Sequence, residues 1–536
     1  MTASALLVAP IAPFVTRTFT TASGAVVAEL APHVTAEALF RQLADAPHLL
    51  FLDSAALDEP AADAHAPGAP PRLGRYSFVA ADPIHPVIVN ADGSAADIAA
   101  AFATVRGLLT DLACATIPAL PPFQGGVAGL VAYECGLARL GITPPTPPAA
   151  GVPLVALCVY DVVAAFDHDA GRGWIISQGV PARGPVARRA RATARLDAFL
   201  ERLSRPPARA RPAPPATLPP DAGHPLESHP RVFSTHSPSA YREMVSRGIE
   251  YVRAGDIFQV NLAQRFAVGA ALDPVELHLR ARALNAAPFA GYFQAGTCHL
   301  ASMSPERFLQ VTRGTVRMHP IKGTRRVTAQ PEADLYAGTD LEASAKDRAE
   351  NVMIVDLVRN DLARVCGPAS VKVEALCRLE RYRYVQHLVS IVAGRLRRGL
   401  GALDALEAAL PGGSVTGAPK HRACEIIAEL EGFSRGAYCG SLGYLGFDGS
   451  ADFNLLIRTF VATDGLVTFA AGGGITAASD PAAEHAESLH KAEGMLRVLD
   501  SFALEKGDAA HLSAAGSDTA QAEGLGLQTN ELRPLF

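Results

Sequence analysis

The chain holds no apolar run approaching the roughly 18 residues of a membrane-spanning helix. It also lacks a surplus of either charge. A net charge of −5 across 536 residues, with the basic residues scattered, leaves no electrostatic footprint for nucleic acid. The eight cysteines, at 114, 135, 158, 298, 366, 377, 424 and 439, are dispersed and form no CxxC pair. That spacing argues against a zinc site or a disulfide frame, so reduced thiols in a cytoplasm are expected. The opening "MTASALLVAPIAPFV" has no cationic segment and is broken by Pro10 and Pro13, unlike a secretory signal. A soluble, cytoplasmic protein without membrane or nucleic-acid partners is the expectation.

Apolar residues make up 49% of the chain, enough for a large core, and the length suggests two lobes or one unusually large domain. The clearest seam is "RPPARARPAPPATLPPDAGHPLESHP", Arg205 to Pro230, whose proline density prevents helix and reads as an extended linker. Before it, strand-like runs such as "HPVIVNA" and "LVALCVYDVVAAF" alternate with alanine-rich helical runs. After it, Ser237-Pro238 opens a helix with Val245, Ile249 and Val252 on one stripe and Gly255 as its terminator. Strand-like runs return in "RFLQVTRGTVRMH" and "DFNLLIRTFVATDGLVTFAAGGG". The expected organisation is an N-terminal region 1–204, a linker 205–232, a C-terminal region 233–505 and a mobile tail 506–536. The composition supports an α+β fold with large sheets, while periodicity alone leaves the topology open.

Two predicted helices carry carboxylates. In "AKDRAENVMIVDLVRNDLARV", Asp347 and Glu350 lie three apart, on a face away from Val352, Val355 and Leu362. In "SDPAAEHAESLHKAEGMLRVL", Asp480 caps, Pro481 takes the first position, and Glu484, Glu487 and Lys491 share a face. Taken alone these are solvated faces with a Glu487–Lys491 pair. Meeting over a cleft, they would offer oxygen ligands to a hard cation such as Mg²⁺. The run Gly472-Gly473-Gly474 would let backbone N–H groups turn toward an anion, although no GK[ST] or GxGxxG spacing accompanies it. Ser414, Thr416 and Lys420 stand at a glycine-rich turn into another helix, His387 in an apolar run, and Glu306 between a Ser-Pro turn and a strand. In "RMHPIKGTRR", Lys322 sits between Ile321 and Gly323, where a lysine is paired, snorkelling outward or a working amine.

In chain order, "GDIFQVNLAQRF", "SPERFL", "PIKGTRR", "DRAENVMIVDLVRNDLARV", "VQHLVS", "PGGSVTGAPKHRACEIIAELE", "GYLGFDGSADFNLLIRTF" and "GGGITAASDPAAEHAESLHKAEGML" resemble the chorismate-utilising enzymes. That family includes component I of anthranilate synthase and of aminodeoxychorismate synthase, isochorismate synthase and salicylate synthase. The resemblance is dense over 237–500 and thinner before, through "LLFLDSA", "GRYSFVAADP" and "GGVAGLVAYE". It implies a single α/β sandwich of two opposing sheets flanked by helices, the two halves contributing opposing sheets. It implies Mg²⁺ held by Glu350 and Glu487, with Asp347 and Glu484 as water-mediated or outer acids. By the same resemblance Gly472, Gly473 and Gly474 serve a substrate carboxylate, and Arg458 and Tyr438 the enolpyruvyl carboxylate. Lys491 stands near the ring carboxylate and metal, His387 and Ser414 near the C4 oxygen and ring, and Glu306 is the acid for the departing C4 hydroxyl.

Two positions separate the members. Isochorismate and salicylate synthases carry a lysine base where this chain has Gln259, and glutamine cannot usefully accept a proton, so ammonia is favoured over water. Anthranilate synthases read "PIAGT" where this chain reads "PIKGT", so Lys322 points to the aminodeoxychorismate synthases and to a lysine that attacks C2. Desolvation, Mg²⁺ or Arg325 would lower its pKa as that role requires. No GxCxG elbow of a glutaminase is present, so ammonia would come free or from a separate glutamine amidotransferase subunit. With no lyase region evident, conversion of the product to para-aminobenzoate would fall to another protein. The rival expectations are anthranilate synthase component I, an amino-deoxyisochorismate synthase, and an inactive tryptophan-sensing or scaffold subunit. In "LLFLDSA", Asp53 replaces the glutamate of the family's inhibitor element "LLES" and gives no reason to expect tryptophan control.

Overall fold

The run "LVALCVYDVVAAF" forms not one strand but two, Val155–Tyr160 and Val162–Asp167, and they belong to different sheets. Asp161 at the break is fully buried and ion-paired to Arg195 at 3.0 Å. In the computed structural model, residues 14–54, 73–149, 151–206, 214–216, 223–327, 338–381 and 385–515 are described.

Among these residues the strands form a 14-stranded and a 10-stranded sheet, every pairing being antiparallel. The larger sheet passes from N-terminal strands, ending in Leu50–Asp53, directly into Phe289–Ala295 and on to Leu466–Ile475 and Gln259–Gly269. The smaller sheet starts at Ile321–Arg326 and Val385–Arg395, reaches Ser441–Gly446, and continues into the N-terminal strand Gly126–Val131. The expectation that the two halves contribute opposing sheets is therefore corrected: each sheet is spliced from both halves. The splice pairs strand edges that would otherwise stand open.

Alternation along Gly126–Val131 shows the layering. Ala128 and Leu130 enter a core shared with Phe78, Val163 and Phe293 of the larger sheet. Val127 and Val131 face a second core with the helices Ala95–Asp111, Ala345–Ala363 and Ala402–Ala409. No helix among the described residues is long and apolar enough to cross a membrane.

Local signals set the helices. Ser237 accepts from the Ala240 amide at the start of Pro238–Ala254, and Gly255 closes that helix at φ +84°. Asp480 accepts from Ala482 and Ala483 at 3.1 and 2.9 Å where Pro481–Ala515 begins. That helix runs past Lys506, and residues 516–536 lie outside the described ones. The helix Ala345–Ala363 corrects the expected face. Val352 is 47% exposed, while Asn351, Ile354, Val355, Val358 and Leu362 are buried. Linker residues 207–213 and 217–222 lie outside the described residues. Of the rest, His224–Pro225 pairs with Phe233–Ser234 at the edge of the larger sheet.

Candidate active site

Lys322 owes its placement to a fault in the sheet. The strand Ile321–Arg326 pairs with Val385–Arg395 so that Lys322 faces Leu388 and Thr324 faces His387, with Gly323 as the extra residue. Gly323 stands at φ +76°, and a Cβ there would come within 2.7 Å of Leu341 and 3.1 Å of the Asp347 carboxylate. Only glycine fits this bulge, which turns the chain beside Lys322. Burial lowers the Lys322 pKa, and Lys491 adds to the lowering. Glu350, Glu306 and Glu487 pull the other way. The side chain of Arg325, expected in the lowering role, lies outside the described side chains.

Glu306 lies within electrostatic reach of this lysine and is almost wholly buried. Its amide donates to Ser304 Oγ at 3.2 Å and its carbonyl accepts from the Leu455 amide at 3.1 Å. Ser414 Oγ donates to its Oε1 at 2.7 Å. Burial pushes the Glu306 pKa up to about 7, against the pull of Ser414 and Lys322. A carboxyl so poised carries a proton for part of the time at neutral pH and can give it away.

The acids of the two helices do meet. Burial raises the Glu350 pKa; Lys322 and Lys346 oppose this, and Asp347 and Glu484 add to it. Glu484 is raised by burial as well, with Ser479 Oγ donating to it at 2.7 Å and Glu487 repelling it. Burial works against Glu487, but Lys491 at 2.7 Å holds its carboxyl below the usual range. Three carboxylates pressing on one another are suited to a hard divalent cation. The opening is kept clear by Gly473, where a Cβ would stand 2.9 Å from Glu484 Oε2 and 3.7 Å from Glu487 Oε1. Among the described residues no three such side chains close a ready-made cage. Mg²⁺ asks for less: one or two carboxylates, with water and substrate oxygens completing the shell.

The triple glycine lies within the strand Leu466–Ile475, opposite Asn261, Leu262 and Ala263. The Asn261 amide donates to Thr416 O and the Ala263 amide to Glu431, so both turn away from this pair. By antiparallel parity, Gly474 and Gly472 opposite them also turn their N–H groups outward. Lys491 donates to the Gly472 carbonyl on that side at 3.0 Å. Gln259 is buried, and its amide occupies the space a Cβ at Gly474 would take. Its Oε1 has no hydrogen-bond partner among the described residues.

His387 is buried, and burial and Arg458 bring its pKa down to about 3, so it is neutral wherever the protein works. Arg458 itself sits at φ +50° between two strands, its carbonyl accepting from the Met303 amide. Tyr438 packs its ring 5.6 Å from the Arg435 guanidinium. Lys420 does not join the site: it is buried against Asp361 at 2.7 Å and the Ala409 carbonyl at 3.0 Å. Asp53 is tied to Arg282 at 2.7 Å and lines a separate cavity of about 240 Å³ with Ser54, Arg75, Arg307 and Asn454. Sequence reasoning missed Ser479, Lys346, the bulge at Gly323, and the buried Glu431–Arg435 pair. Of these, only Gly323, adjoining the singled-out lysine, left a visible signal.

Residues 69–497, which span all of these groups except Asp53 and Ser54, match the chorismate binding enzyme family. The chain belongs to that family. It is 41% identical over 387 residues to anthranilate synthase component 1 of Streptomyces coelicolor, covering 72% of this chain and 75% of that one. It is 38% identical over 393 residues to aminodeoxychorismate synthase component 1 of Salmonella typhimurium, covering 71% and 78%. The crystal structure of anthranilate synthase component I from Streptococcus pneumoniae superposes with a TM-score of 0.65 at 29% identity, covering 80% and 94%. The protein is thus a chorismate-utilising enzyme of the anthranilate and aminodeoxychorismate synthase component I group. Overall identity to the two kinds of relative is too close to separate them.

Proposed function

We propose that this chorismate-binding enzyme is an aminodeoxychorismate synthase component I, which turns chorismate and ammonia into 4-amino-4-deoxychorismate. The observation that carries the reading is Lys322: a lysine of lowered pKa, aimed by a bulge, with a protonatable Glu306 nearby. In the neutral form its amine attacks C2 of chorismate. The ring double bonds shift, and the C4–O bond breaks as Glu306 gives its proton to the departing hydroxyl, releasing water. Ammonia then attacks C4, the double bonds shift back, and the C2–N bond to Lys322 breaks. The proton lost by the incoming nitrogen returns to the lysine amine. Two displacements leave nitrogen where the hydroxyl was.

The remaining residues bind and orient. Gly472 and Gly474 would offer N–H groups to a substrate carboxylate, Arg458 and Tyr438 would receive the enolpyruvyl carboxylate, and His387 and Ser414 would border the ring. Glu350 and Glu487, backed by Asp347 and Glu484, would hold Mg²⁺, which supplies charge neutralisation for the ring carboxylate. Gln259 offers no base for water and suits an amine that brings its own lone pair. Ammonia would come from a separate glutamine amidotransferase subunit and the product would pass to a separate lyase, in a cytoplasm that keeps the cysteines free.

The test is purified protein with chorismate, Mg²⁺ and ammonium, with and without an aminodeoxychorismate lyase, beside Lys322→Ala. Para-aminobenzoate formed only with the lyase, and lost in the variant, supports the reading. Anthranilate formed without the lyase overturns it in favour of anthranilate synthase.

A further inference from the structure

A fully buried ion pair, Arg435 with Glu431, touches none of the groups given chemical roles above except one tyrosine ring. Arg435 and Glu431, with side chains 1% and 0% exposed, form a two-pronged pair: Nη2 to Oε1 at 2.6 Å and Nε to Oε2 at 2.9 Å. The other bonds leave the pair in three directions. Arg435 Nη1 donates to the Val415 carbonyl at 2.8 Å, next to Ser414, whose hydroxyl holds Glu306. Nη2 donates to the Asn261 carbonyl at 2.8 Å, and Glu431 Oε1 accepts from the Ala263 amide at 2.8 Å. These two residues face Gly474 and Gly472 across the sheet. The guanidinium also lies 4.8 Å from the Tyr133 ring and 5.6 Å from that of Tyr438.

The N-terminal half braces the same spot. Glu134 is buried on the helix Tyr133–Leu140 and accepts from the Gly436 amide at 3.0 Å. A buried ion pair is weak evidence for stability, since desolvating two charges offsets most of their attraction. What a planar guanidinium fork does supply is fixed geometry among the backbone segments it bridges.

We propose that the Arg435–Glu431 pair is a positioning unit that sets the Ser414 turn and the glycine strand in register around the reacting ring. It acts through backbone carbonyls and an amide, and touches no substrate itself. The inference rests on the reading of Glu306, held by Ser414, as the acid for the C4 hydroxyl.

Arg435→Lys keeps the charge and removes the fork. It would be compared with Ser414→Ala and the double variant in the full chain, using chorismate, ammonium and Mg²⁺, with rates scaled to the folded fraction from circular dichroism. The expected result is a kcat lowered at least about tenfold by Arg435→Lys, with KM for chorismate moved much less. Adding Ser414→Ala should cost little more, because both changes release the same turn. Wild-type kcat per folded molecule, or losses that simply multiply, would overturn the inference. If Arg435→Lys does not fold, Glu431→Gln is judged by the same criteria. Failure of both to fold assigns the pair to stability and rejects a positioning role. Ser414→Ala at the wild-type rate would instead strike the Glu306 reading, and this inference with it. Ser414→Ala slowed beside an unimpaired Arg435→Lys would strike the inference alone.

Discussion

Two lysines in this enzyme lie beside buried carboxylates, and their surroundings differ. Lys420 donates to Asp361 at 2.7 Å and to the Ala409 carbonyl, so its ammonium is locked in place. Lys322 has Glu306, Glu350 and Glu487 acting on it, yet none hydrogen-bonds its amine among the described residues. Two of these acids are engaged elsewhere, Glu306 by Ser414 and Glu487 by Lys491, while Glu350 acts on it most strongly through charge alone. A buried lysine with a committed partner is structural. Lys322, without such a bond, is pushed by burial and by Lys491 toward the neutral form.

The sharpest way to break this contrast is to remove each lysine. Lys322→Ala should lower 4-amino-4-deoxychorismate formation on the order of 10³-fold or more with the melting temperature little changed. Lys420→Met should do the reverse. Leaving Asp361 buried and unpaired costs about 3–5 kcal/mol, read as a lowered melting temperature, while the folded fraction keeps turning over chorismate. If the two variants lose activity and stability alike, the distinction fails.

On the proposed mechanism, Glu306→Gln removes the proton that the departing C4 hydroxyl takes up. A loss of about 10²-fold or more is expected, together with disappearance of the fall in kcat/KM expected of wild type as pH rises through about 7. A variant that keeps this alkaline fall would place the acid elsewhere. Gly323→Ala tests the aim of the lysine rather than its chemistry. Its Cβ meets Leu341 and Asp347 and its φ disfavours any side chain, so a loss of tenfold to about 10²-fold is expected, with folded protein still binding chorismate. Binding would be followed by equilibrium titration.

Much of this site could be read along the chain, because helix faces and caps are local. Glu484, Glu487 and Lys491 share a face by spacing alone, and Asp480 caps their helix as its side chain dictates. What local pattern does not carry is which strand pairs with which. The expectation that the two halves form opposing sheets comes from the family resemblance, and Leu50–Asp53 and Gly126–Val131 overturn it by each joining strands from the other half. The helix Ala345–Ala363 differs from its expected face at Val352, which is 47% exposed, because helical spacing does not say which side a remote partner covers. Glu350 on it lies among Lys322, Lys346 and Glu484, which come from elsewhere in the chain or from its own first turn. The roles proposed for Lys322 and Glu306 come from family resemblance, since a lone lysine in a turn and a lone acid at a strand mouth have no period.

The finest test of the contrast is Ser414→Ala, because Ser414 is what keeps Glu306 from being to Lys322 what Asp361 is to Lys420. Its hydroxyl donates to the carboxylate at 2.7 Å and favours the ionised form. Removing it raises the Glu306 pKa above its value of about 7, so the acid stays protonated to higher pH. The alkaline limb of kcat/KM should therefore move upward, by up to about one unit if the bond is worth about 1.4 kcal/mol. The rate at neutral pH should fall only a few-fold, since the acid remains but its orientation loosens. A limb that moves downward would mean that the loosened Glu306 has turned to the lysine and formed the ion pair that Lys420 already has. In that case Ser414 would be holding the two apart, and Lys322 would lose neutral amine in the same pH range.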